Sequence, residues 1–218
     1  MKKKLVFALL ILVLFTTYKP QKLFLNINLN IGEIIVENNL ILKENEIKKD
    51  LAFLYEKNLF FLNTSGIEKV LKKNDFIKSI EIKKIYPNKL KIKIFEKKPI
   101  LILQNKKEKF FIDEDINLIN YLDLEEYKNL PIVFGKKENF KILYRDLKKT
   151  NFPIDLIENY YLFESNRWDL KTYKKKIIKL PSENYIKSLK NFIDLRKENN
   201  LNKYKVFDYR IDNQLILK

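Results

Sequence analysis

The sequence predicts an α+β protein: one N-terminal transmembrane helix, a small domain of β-α-α-β-β order, then a larger, mostly antiparallel β-rich domain with helices. Three observations lead there. An uncharged apolar run, Leu5 to Phe15, follows Lys2-Lys3-Lys4. The stretch Phe76 to Pro99 holds two strand-like runs joined by Tyr86-Pro87-Asn88-Lys89, and Leu90-Lys91-Ile92-Lys93-Ile94 alternates strictly between apolar and charged. That period of two marks a strand with one buried and one wet face. After Pro99, short apolar runs recur between polar turns to the end of the chain.

The N-terminal segment from Leu5 to Tyr18 covers roughly 21 Å as a helix, against a hydrocarbon thickness of ~30 Å. It lies between a signal-peptide core and a short signal anchor. No small-x-small cleavage site follows, since the residues are Thr16, Thr17, Tyr18 and Lys19. Flanking lysines can snorkel to the headgroups and Tyr18 suits the interface, which favours a retained anchor. The leading lysines place residues 1–4 in the cytoplasm and send the rest out. Residues 19–27 then read as a connector.

In the small domain, Ile31 to Val36 reads as a strand. Ile47, Leu51 and Leu54 sit at helical spacing between Glu44 and Tyr55. Ser65-Gly66-Ile67-Glu68 has the form of a capping box and opens a helix that buries Ile67, Val70 and Leu71. The hairpin closes the domain: Pro87 presets a turn position and Asn88 tolerates unusual dihedrals.

In the second domain, Ile100 to Leu103, Phe110 to Asp113, Ile116 to Tyr121 and Leu130 to Gly135 read as strands. A helix follows from Glu138 to Lys148. Ile157 to Phe163, Arg167 to Thr172 and Lys176 to Leu180 are further strands. Pro181-Ser182 caps a helix carrying Tyr185, Leu189, Phe192 and Ile193 on one face. Lys205 to Tyr209 and Asn213 to Leu217 are the closing strands.

Composition narrows the chemistry. The formal charge is +16, yet only four of 44 basic residues are arginine (Arg145, Arg167, Arg196, Arg210), and the lysines are spread along the whole chain. Nucleic-acid binders concentrate charge and favour arginine for bidentate contacts, so a solvated surface is the better account. There is no cysteine and no histidine. Disulfides, thiol nucleophiles, zinc sites with sulfur or imidazole ligands, and histidine-based triads are thereby removed. The acidic residues Asp113, Glu114, Asp115, Asp123, Glu125 and Glu126 lack EF-hand spacing and read as a hairpin turn with solvated charges. Glu164 and Asp169 flank Arg167-Trp168, a pair conceivable in a glycosidase, but no cleft or aromatic platform accompanies it, and Trp168 reads as core. No catalytic, cofactor or metal residue is assigned. The last strand is either a sheet edge open to a partner strand or a self-protected strand guarded by Lys218, and the residues leave both open.

Taken in order, these features resemble the FtsQ/DivIB family of bitopic bacterial cell-division proteins. The marks are Phe76-Ile77-Lys78-Ser79-Ile80, Tyr86-Pro87-Asn88-Lys89-Leu90, Glu96-Lys97-Lys98-Pro99, Phe111-Ile112-Asp113, Leu130-Pro131 before Gly135, Arg167-Trp168-Asp169-Leu170, Ile178-Lys179-Leu180-Pro181 and Asp208-Tyr209-Arg210. The resemblance implies a POTRA domain at residues 28–97 and a β domain at 98–218. It implies a non-enzymatic divisome scaffold of the inner membrane, single-pass with its bulk in the periplasm, acting at the septum. It implies binding to FtsB and FtsL, and through them influence on FtsW and FtsI and so on septal peptidoglycan synthesis. Strand addition to the family's last strands maps onto Tyr209, Arg210, Ile211, Asn213, Gln214, Leu215, Ile216 and Leu217. Two departures stand out: Glu37-Asn38 replaces a common Gly-Asn, and Ile211 follows Arg210 where an aromatic residue is frequent. The competing reading is a periplasmic POTRA-type assembly or chaperone module for outer-membrane proteins.

Overall fold

The computed structural model describes residues 2–17, 28–106, 108–197 and 203–218. Helix α1 (Lys2–Thr17) carries the apolar run, with exposed side chains such as Leu5 and Phe15. No helix of the described residues is long and apolar enough to cross a membrane. Tyr18 and the expected connector 19–27 lie outside the described residues.

The first unit is a three-stranded sheet in the order β1 (Glu33–Glu37), β3 (Lys89–Glu96), β2 (Ile77–Ile85). β3 runs parallel to β1 and antiparallel to β2. Its alternation is realised in space: Leu90, Ile92 and Ile94 are fully buried, while Lys89 and Lys91 pair with Glu33 and Glu37 of β1, each at 2.7 Å. Asn38 takes a left-handed φ of 62° and its amide donates to the Ile94 carbonyl at 2.8 Å, so the Glu37-Asn38 departure still closes the strand. β1 begins at Glu33 rather than Ile31, because Ile31 N–H is taken by the Lys57 carbonyl at 2.9 Å. The Tyr86–Pro87 peptide bond in the hairpin turn is cis.

Two helices cover one face. α2 (Glu44–Asp50) stops short of the expected Tyr55, and a 3-10 turn over Ala52–Leu54 completes the segment. Ile47, Leu51 and Leu54 are nevertheless all buried. α3 (Ser65–Leu71) buries Ile67 and Leu71 and leaves Val70 half-buried. The expected capping box is not made: Thr64 holds the N-cap position, and Asn63 Oδ1 accepts Ser65 N–H at 2.9 Å instead. Asn63 stands two residues before Ser65 and closes an Asx-type turn onto that N–H, while Thr64 makes no side-chain cap hydrogen bond.

The second unit is a nine-stranded sheet. Its strands are β4 (Leu101–Asn105), β5 (Glu108–Ile112), β6 (Leu118–Asn120), β7 (Ile132–Phe134), β8 (Ile157–Leu162), β9 (Trp168–Thr172), β10 (Ile177–Lys179), β11 (Val206–Asp208) and β12 (Ile216–Leu217). The order is β12-β11-β10-β9-β8-β7-β4-β5-β6. Three neighbouring pairs are parallel (β4–β7, β7–β8, β10–β11) and the others antiparallel. The β7–β8 and β10–β11 crossovers carry α4 (Lys137–Lys149) and α5 (Ile186–Leu195), as parallel neighbours require. α5 starts later than the expected Pro181-Ser182 cap, with Tyr185 in the N-cap position. Tyr185 Oη donates to Asp146 Oδ2 of α4 at 2.8 Å and ties the helices together.

Alternation divides this sheet between two cores. One face gives Leu103, Ile112, Val133, Tyr160, Trp168, Leu170, Ile178 and Phe207 to the helices, with Phe140 of α4 and Phe192 of α5. Trp168 is core, as its lone occurrence suggested, and sits with Leu162 over Gly135, where an added Cβ would lie 2.8 Å from Leu162 Cβ. On the opposite face Ile102, Phe111 and Ile119 join the core of the first unit. Phe76 and Phe111 meet edge-to-face at 6.2 Å across the junction, so packing continues through Pro99.

The acidic turn after β5 differs from expectation in one respect. Asp113 is buried, not solvated: its carboxylate accepts Asp115 N–H at 2.9 Å, Asn117 N–H at 2.7 Å and the Asn117 amide at 3.1 Å. It braces a turn in which Ile116 has a φ of 60°.

Candidate partner interface at the edge of the second sheet

β12 is the outermost strand on its side of the sheet. It pairs antiparallel with β11, Leu217 opposite Phe207 and Ile216 opposite Asp208. Val206 and Lys218 exchange both backbone hydrogen bonds, at 2.8 and 3.1 Å. In an antiparallel ladder bonded and non-bonded residues alternate, so the N–H and C=O of Leu217 point away from β11. Outward groups of this kind are a template for another strand.

The eight residues anticipated for this interface occupy different positions. Tyr209 is buried, its N–H donated to the Lys179 carbonyl at 2.9 Å and its hydroxyl to Asn191 Oδ1 at 3.0 Å. Burial raises its phenol pKa. Arg210 is exposed and forks onto Asp208, Nε to Oδ1 at 2.8 Å and Nη2 to Oδ2 at 2.6 Å. Ile211 is 51% exposed, and Asn213 (φ 55°) and Gln214 form the turn, with Gln214 N–H on the Ile211 carbonyl at 3.2 Å. Leu215 and Leu217 pack onto the sheet's helix-covered core, whereas Ile216 faces the other way and is exposed. The expected strand from Asn213 is thus reduced to Ile216–Leu217. A groove of ≈ 560 Å³ separates this segment from the start of α5, lined among others by Ser182, Lys187, Asn191, Arg210, Asp212 and Gln214.

Beside the edge lies a feature that residue-by-residue reading missed. Phe134, Tyr161, Asp169, Lys179, Asp208 and Ile216 stand in register across β7 to β12 on the face away from α4 and α5. Phe134 and Tyr161 stack at 4.9 Å. The Arg210 guanidinium holds the Asp208 carboxyl below the usual carboxylate range. Burial pushes Asp169 up, only partly countered by Arg167 and Lys179. Arg167 Nε lies 3.4 Å from Asp169 Oδ1, within ion-pair reach but not aligned as a hydrogen bond, and its guanidinium sits 4.1 Å from the Phe163 ring centre. Asp169 and Glu164 are therefore not a matched carboxylate pair: Asp169 belongs to this row and Glu164 is exposed in the preceding turn. The signal was present in the sequence, since each member is the outward partner of a buried neighbour. Strand order was needed to align them.

A three-stranded sheet under two helices, joined to a large mixed sheet whose β12 edge no strand of the described residues covers, defines a two-module α+β protein. The FtsQ-type POTRA family model matches residues 29–97. Cell division protein FtsQ of Rickettsia bellii is 31% identical over 189 residues, covering 85% of this chain and 70% of the relative. FtsQ of Rickettsia typhi is 29% identical with 85% and 71% coverage, and DivIB of Clostridium tetani 25% identical with 62% and 50%. The major extracytoplasmic domain of DivIB from Geobacillus stearothermophilus superposes on 50% of this chain and 98% of its own length, with a TM-score of 0.33 and 10% identity. The chain belongs to the FtsQ/DivIB family of bacterial cell-division proteins.

Proposed function

We propose that this chain is a non-enzymatic, membrane-anchored scaffold of the division machinery. In this reading α1 sits in the inner membrane with residues 1–4 in the cytoplasm, and residues 28–218 lie in the periplasm at the septum. The exposed apolar stretch Leu5–Phe15 of α1 supports the anchor. β12 receives a strand from FtsB, held with FtsL, and through this pair the chain influences FtsW, FtsI and septal peptidoglycan synthesis. The observation that carries the reading is the outward backbone of Leu217 on an edge that no strand of the described residues covers.

Leu217→Pro removes an outward N–H and inserts a ring on the partner side, and Leu215→Pro fixes the backbone leading into the strand. Co-purification with FtsB is expected to fall at least tenfold while circular dichroism stays native. Full retention of FtsB by both folded variants would sink the interface. A fusion to a fluorescent protein that matures outside the cytoplasm is expected to mark midcell; a uniform membrane signal in dividing cells argues against the scaffold role as a whole.

A further inference from the structure

One pole of the POTRA unit gathers exposed aromatic side chains at the point where the chain enters it. Phe60 is 59%, Phe61 80% and Tyr86 54% exposed. Asn58 Oδ1 accepts Phe60 N–H at 2.9 Å and Phe61 N–H at 3.4 Å, which fixes the loop, and the two rings meet edge-to-face at 5.1 Å. Lys84 Nζ donates to the Phe60 carbonyl at 3.0 Å, and exposed Lys57 lies 4.9 Å from the Phe53 ring centre. The same loop holds the first described residues of the unit: Leu59 N–H donates to the Leu29 carbonyl at 2.8 Å, and Ile31 N–H to the Lys57 carbonyl at 2.9 Å. The tip of the β2–β3 hairpin joins them, Gly32 N–H donating to the Asn88 carbonyl at 2.9 Å.

Only ten residues, Tyr18 to Ile27, separate α1 from Asn28. Even fully extended they reach about 35 Å. The aromatic pole is therefore the part of the folded unit closest along the chain to α1. Exposed phenylalanine and tyrosine interleaved with lysine is the composition that settles at a lipid–water interface: rings at headgroup depth, ammonium groups on anionic headgroups.

We propose that the Phe60–Phe61 loop, with Tyr86, Lys57 and Lys84, is a membrane contact that seats the POTRA unit on the anionic bilayer surface entered by α1. The proposal rests on the anchor reading above. It gives the unit a fixed orientation, the pole at Phe61 toward lipid and the opposite pole, at exposed Leu40, away from it.

The chain contains no cysteine, so single nitroxide labels at Phe61→Cys and Leu40→Cys are unambiguous. Both sites are exposed, and neither substitution disturbs a core. The labelled full chain is reconstituted into phosphatidylcholine–phosphatidylglycerol vesicles and probed with oxygen and a water-soluble nickel chelate. The Phe61 label is expected to show a several-fold higher oxygen-to-nickel accessibility ratio than the Leu40 label. Equal, water-like ratios at both sites overturn the membrane contact. A Phe61 label shielded from both reagents reports a second protein copy there and overturns it too. Alkaline carbonate washing separates the two readings. A chain that stays in the vesicles with a water-exposed Phe61 label refutes the contact alone; a chain that washes off refutes the anchor, and the contact with it.

Discussion

Glu96, at the end of β3, accepts the backbone N–H of Ile41 on Oε2 at 2.8 Å, across a sequence separation of 55 residues. The same carboxylate takes Leu40 N–H at 3.1 Å and Leu42 N–H at 2.9 Å. Three successive donors with no strand or helix partner converge on one anion, which stitches the loop after β1 to the far end of the hairpin. This gives the Glu96-Lys97-Lys98-Pro99 signature a physical task.

Glu96→Ala strands those donors. Hydrogen bonds to a charged acceptor contribute about 1.5–3 kcal/mol, so urea denaturation is expected to show a loss of that order. Glu96→Gln, which keeps an acceptor oxygen, should fall between the two. An unchanged midpoint for Glu96→Ala would show the loop to be held by other means.

Asp208 and Asp169 are expected to respond to pH with opposite signs. Asp208 binds its proton more weakly in the folded state, chiefly through its hydrogen bonds with Arg210. Its stabilising effect is therefore fully present above the ordinary value of about 3.9 and is lost as pH falls through the depressed folded value. Asp169 binds its proton more tightly because it is desolvated, so its stability contribution is fully present below the ordinary value of about 3.9 and is lost as pH rises from there through its elevated folded value. Denaturation of Asp208→Asn against wild type should show a deficit at neutral pH that closes in acid. Asp169→Asn should show an advantage that grows as pH rises. The same sign for both variants would refute the assignment.

Phe111 is fully buried between the two units, 4.9 Å from the Tyr121 ring, 5.7 Å from Tyr127 and 6.2 Å from Phe76. Phe111→Ala is expected to cost about 3–5 kcal/mol, as for other large aromatic truncations in cores. Because its neighbours belong to both units, hydrogen exchange should quicken in β3 and β5 together. Faster exchange confined to β5 would mean that the units open independently.

The sequence carried the local fold well where a short pattern decides it. Alternation from Leu90 to Ile94 specifies a half-buried strand, and Ile47, Leu51 and Leu54 are buried whether the segment ends as an α-helix or a 3-10 turn. It did not carry what depends on distant pairing. That β4 lies beside β7, and that Asp169, Lys179 and Asp208 align, follows from strand order and register, which no local spacing encodes. The candidate interface was visible only in outline. Tyr209 and Arg210 are adjacent in sequence, yet one is core and the other rim, because β11 ends between them and the chain turns away from the sheet. Similarly, Ile216 and Leu217 differ in which way their backbone points, and that is set by the Val206–Lys218 pair.

The shared core at Phe111 has a mechanical consequence. Phe111 of β5 lies under the POTRA unit and β12 lies seven strand intervals away. At the usual ~4.8 Å per interval that is roughly 34 Å. The sheet is thus a long lever arm reaching from the junction, with β12 at its tip. A tilt of about ten degrees where Phe111 meets Phe76 would carry β12 through roughly 6 Å, more than one strand spacing. A slight rocking of the base is thus enough to bring the tip to a neighbouring strand or take it away.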